Sequence, residues 1–86
     1  MTFEGALVKE QGVRFAIVVV KPHVLNNHSE ANQTAHGFKG AFGGVLIVLM
    51  AQDSSGRPTY YGRRDIVDFL ANVPLQAIPW KRYELN

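Results

Sequence analysis

Two apolar runs of strand length, residues 16–20 and 45–51, restrict the possible folds of this chain more than any other feature. The first run ends the segment 13–20, which alternates at its start and then becomes apolar on both faces. The second run is apolar throughout. Strands of this kind are typical of the middle of a sheet that is covered on both sides. We therefore expect both runs to be central strands.

A helix is predicted between the two runs. Asn27 followed three residues later by Glu30 indicates a capping-box start, with Ser29 as a competing cap. Apolar side chains then recur on one helical stripe, namely Ala31, Ala35, Phe38 and Phe42. Gly43 and Gly44 are expected to end the helix. The resulting β-α-β unit should pair its two strands in parallel, either adjacent or with another strand between them.

The rest of the chain contains further strand and helix candidates separated by turn signals, namely strands at residues 3–8, 59–61 and 80–85 and a helix at 63–72. The last strand follows Pro79, alternates and carries charge, which is typical of an edge strand. The order β-β-α-β-(β)-α-β predicts a single small α+β domain over residues 1–86. Its expected architecture is a two-layer sandwich, a mixed β-sheet with two helices on one face.

Composition adds an expectation about assembly. The chain has 86 residues, of which 47% are hydrophobic and 19% are charged. The charged share is below the roughly 25% of an average soluble domain. A domain this small buries only about 60–65% of its unfolded surface, so apolar area should remain uncovered. Burial against a second copy is the simplest cover for that area, and a homodimer is the expected state.

Several classes of site are disfavoured. No cysteine is present, which removes disulfides, thiolate nucleophiles and cysteine zinc ligands. The first residues lack the basic and apolar segments of a signal peptide, and the apolar runs are shorter than the ~20 residues of a membrane span. We therefore expect a cytoplasmic protein without membrane association. No metal or cofactor is expected, no catalytic residue is assigned, and the balance favours a protein that is not an enzyme.

The densest cluster of polar and aromatic side chains is residues 60–65. Two arginines at the predicted start of the second helix could hold a phosphate, a carboxylate or a nucleic-acid backbone. The candidate ligand-binding residues are His23, Tyr60, Tyr61, Arg63 and Arg64. Ordinary structural roles explain the same residues: Arg64 can pair with Asp68, and Arg63 can cover a tyrosine ring.

A second cluster, in residues 80–83, interleaves aromatic and cationic side chains. Such a strand can stack nucleic-acid bases, but alternation leaves only one aromatic and one cation on each face. Pairing of this edge with its twin is the preferred interpretation, with Trp80, Arg82 and Tyr83 as candidate interface residues. The cationic excess is confined to residues 54–86, with five basic and three acidic side chains. That bias is mild, so nucleic-acid binding is not expected.

Three hypotheses remain open at this point. The preferred one is a non-catalytic, self-associating binding module. The first alternative is an anion- or small-molecule-binding protein, either a simple binder or an enzyme, that uses the cluster at residues 60–65. The second alternative is nucleic-acid binding through the basic C-terminal third.

Overall fold

In the computed structural model, which describes residues 1–10 and 12–85, five strands form one mixed sheet. The strands are β1 (Thr2–Glu10), β2 (Val13–Val19), β3 (Leu46–Gln52), β4 (Pro58–Tyr61) and β5 (Lys81–Glu84). Their order across the sheet is β4-β3-β2-β1-β5. Two helices accompany the sheet, α1 (His28–Lys39) and α2 (Arg64–Leu70). The predicted α+β class, mixed sheet and element order are confirmed, including the strand at Pro58–Tyr61.

The two apolar runs form the centre of the sheet, as predicted. β2 and β3 are adjacent and parallel, with a register that runs from Phe15 opposite Leu46 to Val19 opposite Met50. β1 is antiparallel to β2, β5 is antiparallel to β1, and β4 is antiparallel to β3. Ile17 and Val48 are fully buried on one face of the sheet, and Val18 and Leu49 are fully buried on the other.

Helix α1 begins where the sequence predicts and ends slightly earlier. The side chain of Asn27 accepts a hydrogen bond from the backbone N–H of Glu30 at 3.1 Å, the bond of an N-cap. The regular helix stops at Lys39, and a 3-10 turn at Gly40–Phe42 follows it. Gly43 then has a φ of 69°, which favours glycine, so the glycines end this element as expected.

The two helices cover opposite faces of the sheet. Ala31 and Phe38 of α1 pack with Val18 and Leu49 on what we call the α1 face. Ile66 and Leu70 of α2 pack with Phe15, Ile17, Val48 and Met50 on the α2 face. This placement differs from the single helical layer expected from the sequence. The reason is that β2 and β3 are apolar on both sides, so each side must be covered.

Helix α2 is short, and another segment completes the cover of its face. It ends at Leu70, whereas the sequence predicted a helix to residue 72. A 3-10 turn at Leu75–Ala77 follows, and the indole Nε1 of Trp80 donates a hydrogen bond to the carbonyl oxygen of Leu75 at 3.0 Å. Trp80 therefore packs with the core of the α2 face, and the last strand begins one residue later, at Lys81.

Candidate functional site

Strand β5 forms one edge of the sheet, as predicted for the end of the chain. Its neighbour is β1, with Phe3 opposite Tyr83 and Glu4 opposite Arg82. The ladder continues one residue past the strand ends. The backbone N–H of Leu85 donates to the carbonyl oxygen of Met1 at 2.8 Å, and the amino group of Met1 donates to the carbonyl oxygen of Leu85 at 3.2 Å.

These reciprocal bonds decide which backbone groups of β5 point outward. In an antiparallel ladder, hydrogen-bonded pairs alternate with pairs that are not bonded. Because Met1 and Leu85 form a bonded pair, Tyr83 and Lys81 also direct their N–H and C=O groups toward β1. Arg82 and Glu84 therefore direct theirs away from the sheet. The outer edge of β5 presents two donors and two acceptors beside one cationic and one anionic side chain, both exposed.

Four aromatic rings, which we call the aromatic cluster, hold β5 in place on the α1 face. The Phe3 and Tyr83 rings stack with centroids 5.5 Å apart and 17° between their planes. Phe38 meets Phe3 edge-on at 4.8 Å, and Phe42 meets Tyr83 edge-on at 5.0 Å. Such pairs add about 0.5–1.5 kcal/mol each beyond the area they bury. The sequence pattern placed Phe38 and Phe42 on one apolar helical stripe, but it contained no signal that Phe3 and Tyr83 would meet them.

The three predicted interface residues divide between the edge and the core. Arg82 is exposed on the α2 face of β5, and Tyr83 is half-buried on the α1 face, where it contacts Phe3 and Phe42. Trp80 precedes the strand and belongs to the core of the α2 face. The edge itself is therefore built from Lys81–Glu84.

The opposite edge of the sheet is less suited to pairing with another strand. β4 is a strand of four residues that begins with Pro58, which has no N–H to donate. Its last residue, Tyr61, donates its hydroxyl to Oδ1 of Asn32 in α1 at 2.9 Å, and its ring lies 5.5 Å from the ring of His28. This edge is thus shortened by a proline and connected to α1.

Three of the five candidate anion-binding residues line one surface depression, and the other two, Arg63 and His23, lie beside acidic side chains. The Arg63 guanidinium forms two hydrogen bonds to the Asp65 carboxylate, at 2.7 and 2.9 Å. This pairing raises the pKa of Arg63 and lowers the pKa of Asp65. His23 lies elsewhere, beside Glu30 of α1, at 3.9 Å between Nε2 and Oε2. Arg64 lines a shallow depression of about 350 Å³ with Tyr60 and Tyr61.

Tyr60 and Tyr61 lie on opposite faces of β4, and their hydroxyl groups differ. The ring of Tyr60 packs against the core of the α2 face, and the ring of Tyr61 packs against that of the α1 face. The hydroxyl oxygen of Tyr60 is buried and has no hydrogen-bond partner among the described residues. Burial raises the pKa of this hydroxyl. An unsatisfied buried hydroxyl costs free energy, so it is a local weak point of the α2 face.

A groove on the α2 face was not anticipated from the sequence. It has a volume of about 290 Å³ and is lined by Glu4, Val19, Met50, Gln52, Leu75, Gln76 and Trp80. Glu4 supplies the charged group of this lining. The groove lies beside β5, because Glu4 is directly opposite Arg82 in the sheet. It arises from the turn at Leu75–Ala77, which no sequence pattern predicted.

The described residues contain no group of three or more histidine, cysteine, aspartate or glutamate side chains that could hold a metal ion. Within the same residues, no helix is both long and apolar enough to cross a membrane. Comparison of the chain with protein-family models, with characterised proteins and with solved structures found no match.

Proposed function

We propose that this protein is a non-catalytic, self-associating module, and that two copies pair antiparallel through the outer edges of their β5 strands. The observation that carries the proposal is the outward direction of the Arg82 and Glu84 backbone groups. Pairing with an identical strand would extend two five-stranded sheets into one continuous sheet. The edge is covered by addition of a strand, a common solution for an exposed sheet edge.

Two further features support this proposal. β5 contains no proline, in contrast to β4, so both of its outward N–H groups are available to a partner strand. Apolar side chains also flank the edge: Met1 is 70% exposed, and Tyr83 is half-buried at the rim of the aromatic cluster. A short seam of this kind buries little area, so we expect a weak, concentration-dependent dimer.

The test compares two substitutions at one position by sedimentation velocity, up to about 1 mM protein because small interfaces are weak. Arg82→Pro removes the charge and an outward N–H, while Arg82→Thr removes the charge and keeps the N–H. The wild type should dimerise, Arg82→Thr should dimerise more weakly, and Arg82→Pro should be monomeric. Circular dichroism confirms that each variant is folded. A wild type that remains monomeric, or a folded Arg82→Pro variant that dimerises as well as Arg82→Thr, would overturn the proposal.

A second candidate function is the binding of a small organic cation in the groove beside β5. Two observations favour it. The Glu4 carboxylate and the Trp80 indole both line the groove, and indole rings attract cations. The side-chain amide of Gln52 donates to the carbonyl oxygen of Gly56 at 2.9 Å, which leaves its own oxygen as an acceptor. Carboxylate and amide oxygens beside apolar side chains suit a ligand that joins an ammonium or guanidinium group to an apolar group.

Fluorescence of Trp80, the single tryptophan, reports on this second candidate directly. Titration with benzylamine should change the emission, whereas benzyl alcohol, which has the same shape without the charge, should have little effect. Glu4→Gln should abolish the response to benzylamine. Equal responses to both compounds, or an unchanged response in Glu4→Gln, would rule out a cation site.

A further inference from the structure

Resting on the proposed pairing of β5 strands, we infer its register: the two-fold axis passes through Tyr83, so that Arg82 lies opposite Glu84 of the partner subunit and Glu84 lies opposite Arg82 of the partner subunit. The partner surface is then a second copy of the Lys81–Glu84 segment in one defined alignment. The backbone geometry of the edge and the charges on it together select this alignment.

Backbone geometry restricts the alignment to a few choices. In an antiparallel pair of identical strands, residues related by the axis must both direct their N–H and C=O groups toward the seam. In β5 these residues are Arg82 and Glu84. If the axis passed between two residues, each outward-directed residue of one strand would lie opposite an inward-directed residue of the other, and their backbone groups could not bond. The axis must therefore pass through a residue. The possible centres within the outward-facing part of the strand are Arg82, Tyr83 and Glu84.

The side-chain charges of Arg82 and Glu84 decide among these three alignments. An axis through Arg82 would place this arginine directly opposite its own copy. An axis through Glu84 would place two carboxylates opposite each other. Like charges directly opposite each other destabilise a sheet, whereas opposite charges in the same positions stabilise it. The axis through Tyr83 forms two Arg–Glu pairs, one on each side of the axis, and is the favoured alignment.

The chain's own strands extend this charge pattern. Glu4 of β1 lies directly opposite Arg82 in the register of the sheet. In the dimer, Arg82 would therefore stand between Glu4 of its own chain and Glu84 of the partner subunit. The α2 face of the seam would carry two copies of this acid–base–acid row, related by the two-fold axis.

The α1 face of the seam is aromatic. With the axis through Tyr83, this residue lies opposite Tyr83 of the partner subunit in a pair that is not hydrogen-bonded, where Cα atoms are about 4.5 Å apart. The stacked rings of Phe3 and Tyr83, 5.5 Å apart, would then continue into the aromatic cluster of the second copy. The register joins opposite charges on one face and aromatic rings on the other.

Charge reversal tests the register. Arg82→Glu places two pairs of carboxylates across the seam, and Glu84→Arg places two pairs of guanidinium groups there. Each single variant should raise the dimer dissociation constant about tenfold, since two favourable pairs become repulsive. The double variant, Arg82→Glu with Glu84→Arg, restores opposite charges and should return the constant to near the wild-type value. Sedimentation velocity measures all four proteins, with circular dichroism as the folding control.

Cysteine cross-linking provides a second, independent readout, since the described residues contain no cysteine. Tyr83→Cys places two thiols on the axis at a separation that a disulfide can bridge, so mild oxidation should yield a covalent dimer. Lys81→Cys is the matched control, because in this register Lys81 lies opposite Leu85 of the partner subunit and not opposite its own copy. Preferential cross-linking through position 81 would overturn the inference.

The outcomes separate the register from the proposed function. A monomeric wild-type protein would overturn both the register and the proposed self-association. A wild type that dimerises while the single charge variants dimerise equally well, or while the double variant fails to recover, would overturn the register and leave self-association in place.

Discussion

The hydroxyl of Tyr61 donates a hydrogen bond to Oδ1 of Asn32 at 2.9 Å, and this contact joins β4 to a helix 29 residues earlier in the chain. Tyr60, the neighbouring residue, directs its ring to the other face of the sheet, where its hydroxyl is buried without a partner among the described residues. Two adjacent tyrosines thus differ in what their hydroxyl groups contribute to the stability of the fold.

Removal of the Tyr61 hydroxyl and removal of the Tyr60 hydroxyl should therefore change the free energy of unfolding differently. Tyr61→Phe should lower the free energy of unfolding by about 1 kcal/mol, because it breaks a hydrogen bond and leaves Asn32 without this donor. Tyr60→Phe, the matched control, should leave the free energy unchanged or raise it, because it removes a buried polar group that has no partner. Urea denaturation of the two variants measures both values. A larger loss in Tyr60→Phe than in Tyr61→Phe would contradict this assignment.

Gly5 allows a close approach between β1 and β2 that no other residue permits. A β-carbon placed on Gly5 would lie 2.6 Å from the backbone carbonyl oxygen of Ile17, a contact that real β-carbons do not make. Gly5→Ala should therefore destabilise the fold by about 1–3 kcal/mol, as overpacking in a core does. The same substitution would also disturb β1 where it pairs with β5.

Gly37 provides the control for this prediction. It lies within α1, and a β-carbon placed there would have nothing within 4 Å. Gly37→Ala should stabilise the protein by about 0.5–1 kcal/mol, because alanine favours a helix over glycine. Thermal unfolding of the two variants should thus shift in opposite directions. A shift in the same direction would mean that Gly5 does not have the steric role described here.

The sequence was sufficient to predict the elements that depend on local patterns. The two apolar runs predicted β2 and β3, and the spacing of Asn27 and Glu30 predicted the start of α1. These signals are local because strand alternation and helix capping involve residues close in the chain. The α+β class followed from the order of these elements.

The arrangement of the helices and the aromatic cluster depended on long-range contacts. Nothing in the pattern around Ile66 shows which face of the sheet its helix will cover. Phe3 and Tyr83 meet only because β1 and β5 are neighbours, and these strands are at opposite ends of the chain. The outward direction of the Arg82 backbone likewise follows from the phase of the β1–β5 ladder, which the sequence alone does not fix.

The turn after β3 yields a prediction about acid stability. The Asp53 carboxylate accepts hydrogen bonds from the Ser55 hydroxyl at 2.8 Å and from the backbone N–H groups of Ser55 and Arg57 at 2.9 Å. The bond from the Ser55 side chain is the largest cause of the lowered pKa of Asp53, followed by the bond from the Arg57 backbone. These bonds from residues two and four positions later form an Asx-type turn.

Ser55→Ala should therefore raise the pKa of Asp53 toward its usual range, while Ser54→Ala, the adjacent control, should leave it unchanged. A carboxyl group whose pKa is lowered in the folded state stabilises the fold above its unfolded pKa, and this contribution is lost as the pH falls through the folded value. The wild type should thus be more stable than Ser55→Ala at neutral pH, and the difference should shrink below roughly pH 4, where aspartate protonates. A carboxyl-carbon NMR titration and urea denaturation across this range measure the two effects. Equal titration curves for Asp53 in both serine variants would show that the Ser55 hydroxyl does not control this group.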